Sequence, residues 1–246
     1  MIKYEFPLNE RVRKFLRIEE IFKRMEIQIT NKKKFSVYSC FNTYFDIMAT
    51  ASRTDLKVEL MQEIEKQRLK ISTKIKTKKN ISINNEMKRI RVKLEKSKVS
   101  TGFNFGGDKF LHELKTRTDS PSGIVITDFP EFQFWLEATS HVDRKKYFND
   151  KLKDFMPIKI AIGSLMNLLR SNVEVKAMET KTDAVQYKLD PLLRNDLVII
   201  ALPATSKFFP NISSNKYAVN VHLRIQPNKS KVSAKAIKFK LGIASF

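Results

Sequence analysis

The sequence predicts an α+β protein: a mostly helical bundle over residues 1–172, then an antiparallel β-sheet over 173–246. Two observations carry this. Up to about residue 170, apolar residues recur every three or four positions, the period of a helix with one buried face. From Val173 the period drops to two, the alternation of a strand with one buried side. With 246 residues, 42% of them hydrophobic, the chain can bury one large core or two modest ones.

Asn9, just after Pro7-Leu8, is placed to cap the first helix, whose stripe is Val12, Phe15, Leu16, Phe22, Met25 and Ile29. Glu10 and Lys14 are spaced to pair on its outer face. Val37, Phe41, Tyr44, Phe45 and Met48 mark a second helix. A third runs from Asp55 to near Lys74 on Leu60, Met61 and Ile64, and a fourth carries Met87, Ile90 and Leu94. Long helices on short connections predict an antiparallel bundle.

Thr101–Gly107 is a break, followed by a short helix over 108–116 and a second loop at Asp119-Ser120-Pro121-Ser122-Gly123. A brief apolar run at Ile124-Val125-Ile126 precedes the next helix. Asp128 or Phe129-Pro130 starts that helix, which carries Phe132, Trp135 and Leu136, with Trp135 expected in the core. Helical pattern continues through Leu152, Phe155, Ile158, Ile162, Leu165 and Leu169.

In the sheet region, Val173, Val175 and Ala177 predict the apolar face of one strand, and Val185, Tyr187 and Leu189 that of another. Leu197–Leu202, apolar throughout and closed by Pro203, predicts a central strand. Tyr217, Val219, Val221, Leu223 and Ile225 share one face; Lys216, Ala218, Asn220, His222 and Arg224 share the other. On the last strand Ile237, Phe239, Leu241 and Ile243 point inward, with Lys238 and Lys240 outward.

Cys40 is the only cysteine, so no internal disulfide and no two-cysteine metal knuckle can form. No apolar run reaches the length of a membrane span, and the first residues lack the basic-then-apolar order of an export signal. A cytoplasmic protein is expected. The formal charge of +21 fits an acidic partner or nucleic acid.

Where the charge lies says more than its sum. After Asp196 there is no Asp or Glu, and the last fifty residues hold eight basic side chains: Lys207, Lys216, Arg224, Lys229, Lys231, Lys235, Lys238 and Lys240. This predicts a sheet face of one sign, able to speed capture of an acidic ligand. The run Lys57–Lys98 holds fourteen Lys and Arg against five Glu, the pattern of a solvated helix pair.

No catalytic constellation is visible. His112, His141 and His222 stand apart from Cys40 and from paired acids at metal spacing. Asn104-Phe105-Gly106-Gly107 lacks the Gly-Lys-Ser/Thr ending of a phosphate loop and follows no strand. Asp128 and Glu131 flank a helix start, where acids favour the dipole. The expectation is a binding protein that is no enzyme, with no cofactor and no metal.

Four segments, in order, resemble the ZapD family of bacterial Z-ring-associated cell division proteins. Tyr4-Glu5-Phe6-Pro7-Leu8-Asn9-Glu10-Arg11-Val12-Arg13-Lys14-Phe15-Leu16-Arg17-Ile18-Glu19 looks like the family's opening signature. Arg53-Thr54-Asp55-Leu56-Lys57-Val58-Glu59-Leu60 is similar to its Arg-x-Asp-Leu-Lys-x-Glu-Leu stretch. Lys115-Thr116-Arg117 through Pro121-Ser122-Gly123, then Asp128-Phe129-Pro130 and Phe134-Trp135-Leu136, resembles its basic loop, turn and Asp-Leu-Pro…Trp-Leu helix. Phe209-Pro210-Asn211-Ile212-Ser213 with Lys216 resembles its approach to a late strand.

The resemblance implies a helical domain plus a curved antiparallel sheet domain, and a homodimer. It also implies binding to the C-terminal tail of FtsZ, the tubulin-like division protein, and bundling of FtsZ protofilaments at the mid-cell Z-ring. The family's basic pocket maps onto Arg53, Arg117 and Lys216 residue for residue. Lys115 stands where Arg is common. His222 stands where the family often has Arg, and Arg224 follows two residues on, on the same face. Arg11, Arg13 and Arg17 read as structural or dimer-forming. The competing expectation, from charge alone, is a basic nucleic-acid-binding protein.

Overall fold

The computed structural model describes residues 1–73, 77–97, 99, 107–225 and 236–246. A first strand, β1 (Ile2–Pro7), precedes the helices α1 (Glu10–Thr30), α2 (Ser36–Ala51), α3 (Thr54–Ser72), α4 (Lys78–Lys96), α5 (Lys109–Thr118), α6 (Pro130–Ala138), α7 (His141–Leu152) and α8 (Met156–Ser171). Six strands follow: β2 (Glu174–Thr180), β3 (Ala184–Lys188), β4 (Leu197–Leu202), β5 (Phe208–Ser214), β6 (Ala218–Ile225) and β7 (Ile237–Ala244). The chain is α+β, with helices in its N-terminal region and antiparallel strands in its C-terminal region, as the change of period predicts.

Backbone contacts divide the chain into two compact units. One comprises Met1–Leu16 with Leu165–Phe246, the other Arg17–Ser164.

The helical unit is built on aromatic rings. Phe41 is fully buried in α2. The rings of Phe45, Phe110, Phe132, Trp135, Tyr147 and Phe148 have centroids 4.9–6.3 Å from its own. Trp135 is in this cluster, half-buried. Helix starts follow local chemistry. Asp108 accepts from the Leu111 amide to cap α5, Ser140 caps α7 through the Asp143 amide, and Pro130 opens α6, where its missing N–H is not needed.

The described basic residues of the run Lys57–Lys98 lie on α3 and α4. Lys57 Nζ donates to the carbonyls of Glu95 (3.2 Å) and Ser97 (3.0 Å), placing a cation at the negative end of α4. Glu65 accepts from Arg68 (2.8 Å) and Arg91 (3.0 Å). Leu60, Ile64, Met87, Ile90 and Leu94 are buried. Lys74, where the third helix was expected to end, and the break at residues 101–106 lie outside the described residues; Gly107 turns at φ +81°.

Burial pushes the Cys40 thiol up to about 11 from its ordinary 9.0. It pushes the Tyr44 phenol up to about 12, with the charges of Asp108 and Asp154 adding to it, and burial also raises Tyr147. The fold therefore keeps protons that the unfolded chain releases above about pH 9–10. Their contribution to stability is full below that pH and is lost as pH rises through the folded values. Thermal melts should fall steadily above about pH 9; a flat melting temperature to pH 11 would contradict the burial of these groups.

The second unit holds two sheets, where periodicity predicted one. Their orders are β1-β4-β7-β2 and β3-β6-β5, with every pairing antiparallel. They share one apolar core, formed by Val198, Ile200 and Leu202 of β4, Val219, Val221 and Leu223 of β6, and Ile237, Phe239 and Leu241 of β7. Alternation along a strand reports which side is buried but not which strands pair.

Two further expectations are corrected here. The N-terminus opens with a strand, β1, that pairs as an edge with β4; six residues between the chain start and a helix cap carry too little alternation to declare it. On β2 the buried face is opposite to the one expected. Val175 is 51% exposed, while Met178 packs on the core opposite Phe239. The register with β7 sets that choice, and an edge strand has few contacts of its own to resist it. Gly242 of β7 serves the same crossing: a Cβ there would lie 2.4 Å from Val173 Cγ1 and 3.0 Å from the Glu174 carbonyl.

Asp196 is fully buried at the start of β4. Its Oδ1 accepts from Asn9 Nδ2 (2.7 Å) and Arg194 Nε (2.9 Å), and its Oδ2 from the Phe246 amide (2.8 Å). Asn9 in turn caps α1 through the Val12 amide, as predicted (2.9 Å). Glu10 pairs with Arg13. Arg170 of α8 grips Glu5 of β1 with two bonds, 2.6 and 2.8 Å.

Candidate partner-binding residues

The six expected site residues fall three on each unit. On the helical unit, Arg53 occupies the residue before α3 in extended conformation (φ −68°, ψ 127°). Its carbonyl accepts from the Leu56 amide and its side chain is exposed. Arg117 is in the last turn of α5, half-buried, with Cζ 4.6 Å from the centroid of the Phe129 ring. Stacking uses the flat face of the guanidinium and leaves its N–H fork for a carboxylate. Phe129 is itself 3% exposed, so the ring beneath Arg117 is a fixed seat.

Lys115 differs from both. It forms an ion pair with Asp119 one turn on and lies 5.8 Å from the Phe45 ring centroid. An acidic ligand must compete with Asp119 for it. The four-residue spacing of this pair was readable in the sequence; the Phe129 seat was not, because it joins residues from separate elements.

On the sheet unit, Lys216 sits in the β5–β6 turn, exposed, with Nζ 5.9 Å from the Tyr217 ring centroid. His222 and Arg224 share the outward face of β6. His222 is flanked by Ala184 of β3 and Asn211 of β5, and Arg224 is directly opposite Phe209 of β5. β3, β5 and β6 contain no Asp or Glu. The polar face of β6 lacks an aromatic of its own, as the sequence indicates, but β5 brings Phe209, 38% exposed, beside Arg224.

The expected single-signed face is not one face. Lys238 and Lys240 belong to the four-stranded sheet, where Lys238 is paired in register with Glu179. Arg224 belongs to the three-stranded sheet, with Lys216 at its turn. Lys229, Lys231 and Lys235 lie outside the described residues. Among the described residues, no three His, Cys, Asp or Glu side chains group to hold a metal, and no helix is long and apolar enough to cross a membrane.

The family model of ZapD, described as a cell division protein, matches residues 16–222. The chain belongs to the ZapD family. ZapD relatives match it almost end to end. The cell division protein ZapD of Azoarcus sp. (strain BH72) is 27% identical over 98% of both chains. That of Dechloromonas aromatica (strain RCB) is 26% identical over 92% of this chain and 91% of its own. That of Nitrosomonas europaea is 26% identical over 100% of this chain and 95% of its own. The ZapD assignment gives the chain a role in cell division, and the matched span includes Arg53, Lys115, Arg117, Lys216 and His222, with Arg224 two residues beyond it.

Proposed function

We propose that the chain binds the C-terminal tail of FtsZ and, as a homodimer, crosslinks and bundles FtsZ protofilaments at the mid-cell Z-ring, without catalysis. The observation that carries this is membership of the ZapD family over residues 16–222. In this reading residues 1–172 self-associate, and residues 173–246 meet the tail through Lys216, His222 and Arg224. Arg53, Lys115 and Arg117 add cations from the helical part.

The physics supports it. A single weak site cannot crosslink filaments, whereas a two-fold dimer carries two identical sites. Micromolar affinity, about −8 kcal/mol, suffices when each filament displays many tails. Cosedimentation with full-length FtsZ and with FtsZ lacking its tail tests the reading: pelleting with the first alone is expected, and equal pelleting with both rejects it.

Arg117→Glu is expected to weaken tail binding by about tenfold or more, since it turns an attraction into a repulsion. Loss of its stacking on Phe129 costs the fold only about 0.5–1 kcal/mol. Titration calorimetry against a tail peptide checks this; unchanged affinity removes Arg117 from the site.

One observation favours a second reading, binding of single-stranded nucleic acid: Phe209 beside Arg224 on an acid-free strand trio offers a ring for base stacking. That reading requires oligonucleotide binding that weakens steeply with salt and is lost in Phe209→Ala.

A further inference from the structure

The helical unit contains a cavity of about 330 Å³ between α1, α7 and α8. Helical spacing builds it. Phe22, Met25 and Ile29 stand three and four residues apart on α1, and that side of the helix meets Leu152 of α7 and Met156 of α8 around the cavity. Phe22, Met25, Ile29 and Leu152 are each at most 7% exposed, and Met156 is half-buried. Together they form an apolar floor, with two thioethers that adapt to an irregular guest.

The rim is polar. Lys145 and Asn149, one turn apart on α7, are exposed at its edge. Glu26 of α1 and Lys159 of α8 also line it and are bound to each other as an ion pair. That pair neutralises Lys159, whereas Lys145 forms no ion pair among the described residues. The rim therefore carries one unbalanced positive charge beside an amide donor. None of Arg53, Lys115, Arg117, Lys216, His222 or Arg224 lines the cavity, so it is separate from the residues assigned to the FtsZ tail.

We propose that this cavity binds a small amphipathic carboxylate, an aryl or medium-chain acyl acid, with its apolar part on the floor and its carboxylate at Lys145 and Asn149. Volume sets the size. Roughly twice the ~150 Å³ that accommodates benzene admits one ring or one short chain, and not a two-chain lipid. The floor sets the buried end: Phe, Ile, Leu and Met side chains offer no strong hydrogen-bond partner, so that end is hydrocarbon. Charge sets the head. A carboxylate gains a charge-assisted bond from Lys145 and a second donor in Asn149. An ammonium meets repulsion at Lys145, and a dianion has to displace Glu26 from Lys159.

The test is titration of the full chain with octanoate near neutral pH, read by nuclear magnetic resonance of isotope-labelled methionine methyls. Of the eight methionines, Met25 and Met156 line the cavity, so their signals, assigned with Met25→Leu and Met156→Leu, report its occupancy. Both are expected to shift and saturate with a dissociation constant of about 1 mM or below, the range for a ligand of this size. Octylammonium, with the same chain, should bind more weakly by about tenfold or more. Lys145→Glu, a change at an exposed rim position, should reverse that order with unchanged far-ultraviolet circular dichroism. No saturable shift with octanoate overturns the proposal, as do shifts confined to the other methionines, which mark adventitious binding only. Equal binding of octanoate and octylammonium to wild type, or an order that Lys145→Glu leaves unchanged, overturns the carboxylate assignment. A response of Met25 and Met156 to an FtsZ tail peptide but not to octanoate overturns it in favour of a peptide side chain. Cosedimentation with FtsZ tests the tail-binding reading separately, so failure of one leaves the other standing.

Discussion

Phe41→Ala is expected to destabilise the helical unit by about 3–5 kcal/mol. The ring is fully buried and touches six other rings, so truncation removes apolar transfer energy and leaves a cavity that stiff aromatic neighbours cannot collapse to fill. For a chain of this length the melting temperature should drop by roughly 6–20 °C. Cys40, next in sequence and 2% exposed, provides a local readout. Its thiol is shielded and held protonated by burial, so reaction with a thiol reagent reports opening of this unit. Phe41→Leu, which keeps most of the volume, should cost less and react more slowly. A melt within about 2 °C of wild type for Phe41→Ala would show that these rings are not a packed core. The same variant bears on function. Phe110 contacts both Phe41 and Phe129, at 6.2 and 5.8 Å, and Phe129 seats Arg117. Loosening the cluster should therefore weaken partner binding before the unit unfolds.

Asp196→Ala is expected to cost the sheet unit about 3 kcal/mol or more. Three donors lose their acceptor at once: the Asn9 amide, the Arg194 guanidinium and the Phe246 backbone N–H. The Phe246 residue is 3% exposed, so its amide has little water to turn to. Arg194 is 31% exposed and recovers part of its loss by hydration, which keeps the figure below that of a fully enclosed pair. Asp196→Asn separates charge from shape. It can still accept from one side but presents an amide to the others, and should fall between wild type and Ala. Denaturant melts of the two variants check the order; equal stability of Ala and wild type would show that the network contributes nothing.

The helices were legible because each carries its own signal. Asn9 caps α1 and Pro130 opens α6 through contacts within four residues, and the stripe Met87, Ile90, Leu94 buries one side of α4. The strands of β4, β6 and β7 were legible for the same reason: β4 is apolar throughout its six residues, and the alternation of β6 and β7 persists over eight residues each and matches the buried faces. Where an element is short or at an edge, the signal fails. β1 has six residues, and the buried side of β2 is dictated by its partner β7. Charge and resemblance named the six expected site residues, but their surroundings came from elsewhere in the chain. Phe129 lies under Arg117, Asp119 holds Lys115, and Phe209 stands opposite Arg224.

Sequence alone determined the α+β class, the helix caps, the alternation of the long strands and the family resemblance, because each is written in neighbouring residues or short segments. Tertiary structure decided that the strands form two sheets around one core, that β2 turns Met178 inward, and that Lys238 and Lys240 lie on one sheet and Arg224 on the other. These depend on which strands share hydrogen bonds across long loops, a choice made by the summed burial of many residues rather than by any local pattern.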